Sequence, residues 1–457
     1  MNTAANPNQR PAERKFSSAA VEAELQRVAA LITEPELRQL FINCYPNTLD
    51  TTVQYREIDG IPDSFVITGD IHALWLRDSA AQVWPYLPLV QQDAALGKMI
   101  AGLVRRHAQC ILIDPYANAF NDGAAESEWQ SDHTDMKPEL HERKWELDSL
   151  CYAIRLAHGY WSASKDSAPF DPPFDPPFDE AWLAAMKLAV ATMREQQRKT
   201  DRGPYRFTRT TAWQSDTLPC GGWGNPLKPV GLIASMFRPS DDACVYPFLV
   251  PSNFFAVASL RQLAQMVTAL FNEAEFAAEC TAFADEVAAA LEQYAVVQHP
   301  KYGAIYAFEV DGYGNALMMD DANIPSLLAL PYLDESLIGN DVYANTRRFV
   351  LSEDNPWFFK TAQFEGNGSP HTLAPMIWPM SIIMRALTSD DDAEIAKCLT
   401  MLQHSHAGTY FMHESFDVHN PANFTRSWFA WTNTLFGELI VHLANTRSHL
   451  LQGAAHA

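Results

Sequence analysis

The stretch EAEFAAECTAFADEVAAALEQYAV, residues 273–296, carries the clearest structural pattern in the chain. Its large apolar residues recur at steps of three or four, at Phe276, Cys280, Phe283, Val287, Leu291 and Tyr294. Because an α-helix turns once in about 3.6 residues, this spacing places the side chains on one face. The stretch therefore predicts a helix with a single buried stripe.

The same period recurs on both sides of this stretch. It predicts about a dozen helices in all, the others at 18–32, 35–44, 79–90, 93–112, 146–161, 180–196, 252–270, 322–333, 340–351, 374–387, 391–403 and 427–445. Strand-like runs are few, at 64–68, 205–209 and 304–310. A parallel α/β sheet needs strands between successive helices, so the sequence excludes that fold class.

Helices joined in antiparallel pairs form either an open solenoid or a closed double ring. No repeat of roughly 30 to 50 residues can be aligned along the chain, and this favours the closed ring. The loops at 114–145, 200–251, 353–375 and 404–427 are long and rich in aromatic, Gly and Pro residues. Long ordered loops in a compact domain usually carry function, so we expect the functional site on these loops.

The predicted domain organisation is simple. We expect a disordered or extended N-terminal segment over 1–16, followed by one helical domain over 17–450. The tandem Asp-Pro-Pro-Phe at 171–178 predicts an exposed Pro-rich insertion at 165–179.

Charge and composition exclude several classes of protein. The 33 Lys and Arg residues against 55 Asp and Glu give a net charge of −22, which argues against nucleic-acid binding. No uninterrupted apolar run approaches about 18 residues, so we expect no membrane span. The seven cysteines include no Cys-x-x-Cys pair, and Met1 to Lys15 contain no apolar run. We therefore expect a cytoplasmic protein without disulfides. The sequence does not specify its oligomeric state.

An Arg-Asp pair, Arg77 and Asp78, lies just ahead of a predicted helix. One interpretation is a helix cap and its partner. Another is a fork of donors and an acceptor for the vicinal hydroxyls of a sugar, with Trp75 as a stacking face.

Carboxyl groups in two other loops suit proton transfer. Asp241 and Asp242 are adjacent, so they either begin a helix or repel each other until one stays protonated and acts as a general acid. Glu414 lies among Phe411, Met412 and Phe416, where a carboxylate is either paired structurally or poised for proton transfer.

The sequence predicts no metal and no cofactor. His404, His406, His413 and His419 do not match a helical His-Glu-x-x-His pattern. No Asp-x-Asp-x-Asp-Gly calcium loop and no phosphate-binding glycine loop is present. The absence of Asp-Asp-x-x-Asp also argues against an isoprenoid cyclase, another helical barrel with paired aspartates.

Four motifs together resemble glycoside hydrolase family 125, the inverting exo-α-1,6-mannosidases. They are GDIHALWLRDSAAQV at 69–83, FRPSDDAC at 237–244, MDDANIPS at 319–326 and HESFD at 413–417. The resemblance spans about residues 35 to 445 and implies an all-α fold, an (α/α)6 barrel or toroid, with long loops on one face and a few short strands. It also implies removal of terminal α-1,6-linked mannose from the non-reducing end of mannosides or N-glycan fragments, with an α-mannoside oligosaccharide as the partner.

The resemblance further implies roles for individual residues. Asp241, the first of the pair, is the expected general acid and Glu414 the expected general base. The expected substrate-binding residues are Trp75, Arg77, Asp78, Arg238, Asp242, Asn323, His371 and His413. Two alternatives stay open, a related inverting α-glucosidase of the glucoamylase type and a non-catalytic glycan-binding protein.

Overall fold

The computed structural model describes residues 8–164 and 177–452. Residues 1–7 and most of the Pro-rich insertion predicted at 165–179 lie outside this range. The described residues are mostly helical, as predicted, and their strands are short.

Fifteen α-helices occur in the described residues. They are α1 (Ala19–Ala29), α2 (Pro35–Cys44), α3 (Asn47–Thr51), α4 (Leu76–Val83), α5 (Ala94–Ile113), α6 (Leu147–Ser164), α7 (Glu180–Glu195), α8 (Pro219–Gly222), α9 (Val250–Phe271), α10 (Ala274–Tyr294), α11 (Leu330–Leu333), α12 (Asp341–Val350), α13 (Pro379–Leu387), α14 (Asp392–Ser405) and α15 (Ala430–Thr446). Single 3₁₀ turns occur at Trp84–Leu89, Gln214–Asp216, Glu335–Leu337, Pro370–Thr372 and Ser448–Leu451.

The strands of the described residues pair only antiparallel, in six small sheets. They are β1 (Val53–Ile58), β2 (Ile61–Val66), β3 (Leu74–Trp75), β4 (Ala119–Phe120), β5 (Leu140–Glu142), β6 (Phe248–Leu249), β7 (Val296–His299), β8 (Gly303–Tyr306), β9 (Glu309–Val310), β10 (Ala316–Leu317), β11 (Phe358–Lys360), β12 (Glu365–Asn367), β13 (Met376–Ile377), β14 (Ser415–Asp417) and β15 (Phe424–Thr425). The sheet orders are β1-β2, β3-β4-β5, β6-β9-β10, β7-β8, β11-β12 and β13-β14-β15.

Helix α10 carries the stripe predicted from residues 273–296. Its buried residues include Phe276, Cys280 and Phe283, and the helix packs on α9. Asn272 ends α9 with a φ of 55°, a left-handed conformation that Asn tolerates better than most residues. The chain reverses there, so α10 begins two residues later and the two helices form a hairpin.

A set of helices is buried along most of its length. All eight residues of α4 are buried, and α6, α9, α13 and α15 are buried over most of theirs. In chain order, α4 packs on α6, α6 on α9, and α13 on α15, while α15 returns to α4. Helix α10 packs on α9 and α14 packs on α13, whereas α5 packs on β2, α7 and α6. One continuous hydrophobic core extends from Ala20 to Leu451.

Helix α9 is the one helix of the described residues that is long and apolar enough to cross a membrane. It packs against α6 and α10, and half of its most apolar window is buried inside the protein. Its position in the core accounts for its composition.

The helix predicted at 322–333 is wrong for most of its length, because only the four residues of α11 are helical. Asp320 accepts the backbone N–H groups of Leu327 and Leu328, at 2.8 and 3.1 Å. A side-chain acceptor of this kind offers the backbone an alternative to helical hydrogen bonds.

The strand predicted at 205–209 is also wrong. In this segment Thr208 forms only an isolated bridge with His133. Its alternating apolar residues, Tyr205 and Phe207, are nevertheless fully buried. The alternating pattern thus indicated correctly which side chains are buried, although the segment is not a strand.

The described part of the N-terminal segment, residues 8–16, contains no helix or strand. Arg10 donates from Nε to Asp50 Oδ2 and from Nη2 to Glu22 Oε1, both at 2.6 Å. The Phe16 backbone N–H donates to the Leu49 carbonyl at 2.9 Å. These contacts hold the segment against the first three helices.

Candidate active site

An open cavity of about 650 Å³ lies where the predicted functional loops meet, and we call it the first cavity. Eight of the ten predicted site residues line it: Trp75, Arg77, Asp78, Asp241, Asp242, Asn323, His371 and Glu414. They come from the start of α4, the loop before β6, the loop before α11, the loop after β12 and the residue before β14. The fold thus brings Asp241 and Glu414, 173 positions apart in the numbering of the chain, to one cavity.

Arg238 and His413 are not among the residues that line the first cavity, so the structure does not bring them together with the other eight. Arg238 is buried and donates from Nε to Glu309 Oε1 at 2.6 Å. The buried His413 ring stacks on Phe424 with centroids 3.6 Å apart, and its Nε2 is 3.2 Å from Thr409 Oγ1. Burial lowers the pKa of His413 to about 4, so this ring is neutral and serves packing.

Asp241 and Asp242 lie in a tight turn and not at the start of a helix, so the helix-terminus interpretation is wrong. The Asp241 N–H donates to the Arg238 carbonyl at 2.9 Å, and the Arg238 N–H donates to the Asp242 carbonyl at 2.7 Å. Phe237 and Ala243 form a bridge just outside the loop. The last loop residue, Asp241, has a φ of 67°, the left-handed position that glycine usually takes in such hairpins. The fold therefore holds this carboxyl-bearing residue in a conformation that its own backbone disfavours.

A buried arginine, Arg77, lies among four carboxyls at the inner end of the first cavity. Its Nη1 donates to Asp78 Oδ2 at 2.7 Å, and its Nε is 3.4 Å from Asp148 Oδ2. Its Nη2 donates to Glu146 Oε2 and Asp241 Oδ1, both at 3.2 Å. Four carboxyls around one buried cation repel each other when all are ionised, so the cluster retains protons.

The protons of this cluster are distributed unevenly. Burial raises the pKa of Glu146 well above its ordinary range, outweighing Arg77, and the charge of Asp241 raises it further. Burial likewise raises the pKa of Asp78 to about 6. Burial also acts to raise the pKa of Asp241, but Arg77, Lys144 and a hydrogen bond with Glu146 together lower it below the ordinary range. At neutral pH the proton of this pair therefore lies on Glu146, and Glu146 donates it in a hydrogen bond to the ionised Asp241.

Sequence reasoning missed Asn118, Lys144 and Glu146, which hold Asp241 in place. Asn118 Nδ2 donates to Asp241 Oδ1 at 3.1 Å and to Glu146 Oε1 at 3.3 Å. Lys144 Nζ donates to the Asp241 carbonyl at 2.8 Å. One pattern indicates this region: the charged run HERKWE at 141–146 directly precedes the apolar helix α6 and is buried throughout.

Asp242 faces different partners from those of Asp241. Its Oδ2 accepts from Ser240 Oγ at 3.1 Å and lies 3.4 Å from His371 Nδ1. Burial acts to lower the pKa of His371, but the hydrogen bond and charge of Asp242, followed by the charge of Glu414, raise it to about 9. His371 is therefore protonated at neutral pH and bears a positive charge beside the two carboxylates.

Glu414 is held far more loosely than Asp241. Its carboxylate accepts no hydrogen bond from the described residues, and its nearest cation is Arg426, with Nη1 at 3.6 Å from Oε1. Arg426 itself is fixed by Asp70, to which its Nε donates at 2.9 Å, and it lies over the Phe429 ring at 4.5 Å. The Glu414 oxygens consequently remain available to water in the cavity.

Two buried aromatic ring nitrogens beside the first cavity have no hydrogen-bond partner among the described residues. They are Trp75 Nε1 and His141 Nε2, and the two rings lie edge to face with centroids 5.2 Å apart. Burial lowers the pKa of His141, so its ring is neutral. Because buried polar atoms in native proteins are almost always paired, these two nitrogens suit a ligand that bears hydroxyl groups.

Aromatic rings and charged groups form the outer wall of the first cavity. The Arg209 guanidinium lies 3.6 Å from the centre of the Trp129 ring and pairs with Asp132 at 2.6 Å and Asp216 at 2.8 Å. Trp213 lines the same cavity with 62% of its surface exposed. Exposed aromatic faces beside polar groups suit the mixed apolar and polar faces of sugars.

In residues 8–164 and 177–452, no group of three or more His, Cys, Asp or Glu side chains is arranged to hold a metal ion. The clustered histidines have other partners. His404 Nδ1 lies 2.7 Å from the Thr400 carbonyl, and His406 Nε2 lies 3.0 Å from Glu36 Oε1. All seven cysteines are free thiols, and six of them are buried.

Similarity to known proteins agrees with this geometry. The family model described as metal-independent alpha-mannosidase (GH125) matches residues 34–441. The meiotically up-regulated gene 157 protein of Schizosaccharomyces pombe is 42% identical over 467 residues, which cover 98% of this chain and 90% of that protein. A solved metal-independent α-mannosidase from Streptococcus pneumoniae, in a non-productive complex with α-1,6-mannobiose, is 41% identical with a TM-score of 0.89. That match covers 95% of this chain and 100% of the other.

A more distant structure shares the fold alone. A bacterial glucoamylase complexed with acarbose is 9% identical with a TM-score of 0.53, over 93% of this chain and 58% of the other. It supports a helical fold of the glucoamylase type. The family match and the two relatives above 40% identity carry the assignment further. The chain belongs to glycoside hydrolase family 125, the metal-independent α-mannosidases.

Proposed function

We propose that this protein is an exo-acting α-1,6-mannosidase that releases the terminal mannose with inversion of anomeric configuration. The observation that carries the proposal is that Asp241 and Glu414 line one cavity with opposite surroundings. Glycoside hydrolysis needs one carboxylic acid at the leaving oxygen and one carboxylate on the other side of the sugar. The α-1,6-mannobiose bound to the Streptococcus pneumoniae relative supports this linkage.

The proposed fold is a closed (α/α)6 barrel formed by one catalytic domain over residues 17–450. The return of α15 to α4 supports closure of the inner helices, and the single core from Ala20 to Leu451 supports one domain. Such a ring directs loops from several helix pairs into one funnel. This accounts for a site assembled from five separate segments of the chain.

Asp241 is the general acid in this mechanism. It faces the cavity with 27% of its side chain exposed, whereas the Asp242 side chain is only 8% exposed. The proton that Glu146 retains passes through Asp241 to the glycosidic oxygen, which leaves both Glu146 and Asp241 as carboxylates beside Arg77. Asp242 with His371 holds sugar hydroxyls next to this residue.

Glu414 is the general base. Its carboxylate has no hydrogen-bond donor among the described residues, so it is free to accept one from water. It removes a proton from that water as the oxygen attacks the anomeric carbon, and the water oxygen becomes the hydroxyl of the product. The bond to the leaving oxygen breaks in the same step, and the proton from Asp241 neutralises that oxygen.

The exo action follows from the closed inner end of the cavity. Arg77 and Asp78 are 4% and 3% exposed and pair with each other, so no chain continues past them. They suit the hydroxyls of a non-reducing terminal ring, which are costly to bury without partners. Trp75 provides the face and the free indole N–H beside this ring.

Proton NMR of α-1,6-mannobiose hydrolysis tests the proposal. We expect the β anomer of mannose to appear first and to equilibrate afterwards, with activity unchanged by a chelator. Isomaltose is the matched control, since it has the same linkage between glucose units, and we expect it to remain intact. First appearance of the α anomer would refute inversion, and a disaccharide bound but not consumed would refute catalysis.

A further inference from the structure

A second cavity of about 670 Å³ adjoins the first and has no role in the mechanism above. The two cavities share three lining residues, Ser215, Asp242 and Pro370. A ligand that extends outwards from the first cavity past these residues therefore meets the second.

Arg238 lines this second cavity, and only one of its three guanidinium nitrogens, Nε, donates a hydrogen bond to the described residues. Arg238 is only 3% exposed, and its Nε is paired with Glu309 Oε1 at 2.6 Å. Among the described residues its Nη1 and Nη2 donate no hydrogen bond, and neither belongs to the buried atoms that lack a partner, so both are accessible from the cavity. These donors therefore indicate a ligand with hydroxyl or other oxygen acceptors.

Buried hydrogen bonds fix the wall of the second cavity around Arg238. Glu309 is fully buried, and its Oε2 accepts the backbone N–H groups of Val245 and Tyr246, both at 2.9 Å. One carboxylate thus fixes both the guanidinium and the loop that borders the cavity.

The character of the second cavity favours a neutral sugar over an anion. Arg238 is compensated by Glu309, and the carboxylate of Asp242 lies in the same lining. A partly buried aromatic ring, Trp357, provides a flat apolar face there. Donors, an acceptor and an aromatic face without net positive charge form the usual surroundings of a carbohydrate ring.

We propose that the second cavity binds the third sugar of an α-mannoside whose terminal mannose lies in the first cavity. The inference rests on the proposed function and adds to it a substrate class, oligosaccharides of three or more residues. Contacts made by this remote ring lower the barrier to hydrolysis of the terminal bond, because binding energy away from the reacting atoms contributes to transition-state stabilisation.

Steady-state kinetics with α-1,6-mannobiose and α-1,6-mannotriose test this proposal. For the wild type we expect kcat/KM to be about tenfold higher with the trisaccharide. Trp357→Ala removes the aromatic face, and Val245→Arg fills the cavity from a residue that is 45% exposed. Both variants are expected to bring the trisaccharide value down to that of the disaccharide, and to leave the disaccharide value within about twofold of wild type.

Tyr313→Ala is the matched control, since this aromatic residue is 63% exposed and lines neither cavity. We expect it to preserve the preference for the trisaccharide. If Trp357→Ala fails to fold, Val245→Arg decides, because its side chain is not part of the core. Equal kcat/KM for the two substrates in the wild type, or an unchanged ratio in Val245→Arg, would overturn the inference while leaving the mannosidase proposal intact. Failure of the wild type to cleave either substrate would instead remove the proposed function.

Discussion

The two carboxyls of the first cavity differ in how tightly the protein holds them. Asp241 accepts from Arg77 and Asn118, shares a proton with Glu146 and has its carbonyl bound by Lys144. Glu414 has a single cation at 3.6 Å and no hydrogen bond from the described residues. In the proposed mechanism this difference means that the proton donor is fixed and supplied with a proton, whereas the base, which works through water, stays accessible.

Loss of the loosely held carboxylate is expected to have the largest effect. Glu414→Gln removes the base and keeps the size of the side chain, so we expect kcat for α-1,6-mannobiose to fall about 10⁴-fold. The fold should be unaffected, because Glu414 supports no hydrogen bond, and thermal unfolding checks this. A variant that keeps wild-type kcat would show that another group activates the water.

Asp241→Asn is expected to have a somewhat smaller effect that depends on the leaving group. We expect a loss of about 10³-fold with mannobiose, whose sugar leaving group needs a proton. With a nitrophenyl α-mannoside, whose leaving group is stable as an anion, the loss should be about tenfold or less. Glu414→Gln is the control, since it should impair both substrates alike. Equal losses on both substrates in Asp241→Asn would contradict its role as the acid.

Glu146→Gln tests whether Asp241 depends on Glu146 for its proton. The variant removes the acidic proton of Glu146 and keeps a hydrogen-bond donor, the glutamine amide, at that position. The pKa of Glu146 is raised, so the wild-type pair stays protonated at neutral pH and loses its proton as the pH rises. In the variant only Asp241, with its lowered pKa, carries the acid proton. We therefore expect the descending high-pH limb of the kcat/KM profile to move to lower pH. For each pH unit that the limb moves below pH 7, kcat/KM at pH 7 should fall about tenfold.

The pH profile separates this role from a structural one. Glu142→Gln is the matched control, because Glu142 accepts from Asn118 at 2.9 Å but is not among the partners of Asp241. Its profile should keep the wild-type shape. A Glu146→Gln profile that is merely lower at every pH would argue that Glu146 only supports the structure.

The sequence predicted regular elements well where the apolar period was long. The stripe of residues 273–296 became α10, and the predicted helix at 35–44 has the bounds of α2. It failed at 322–333, where the carboxylate of Asp320 captures backbone N–H groups that a helix would use. Periodicity describes which side chains are buried, and it carries no information on competing polar contacts.

For the site, the four motifs contain seven of the eight predicted residues that line the first cavity, all except His371, because each motif places an acidic or aromatic group on a loop or at a helix start. Arg238 belongs to the same motif as Asp241 but its guanidinium lines the second cavity. Asn118 and Glu146 escaped prediction because their importance lies in hydrogen bonds across distant loops. Such contacts depend on the tertiary fold, which local spacing does not specify.

The left-handed backbone of Asp241 has an evolutionary consequence. Glycine would adopt this φ without strain. Selection for thermal robustness alone would thus drive position 241 away from aspartate, and a homologue that has lost its enzymatic role is free to make that exchange. In the proposed mechanism, the carboxyl of Asp241 is therefore what keeps an aspartate at this position despite its strained backbone.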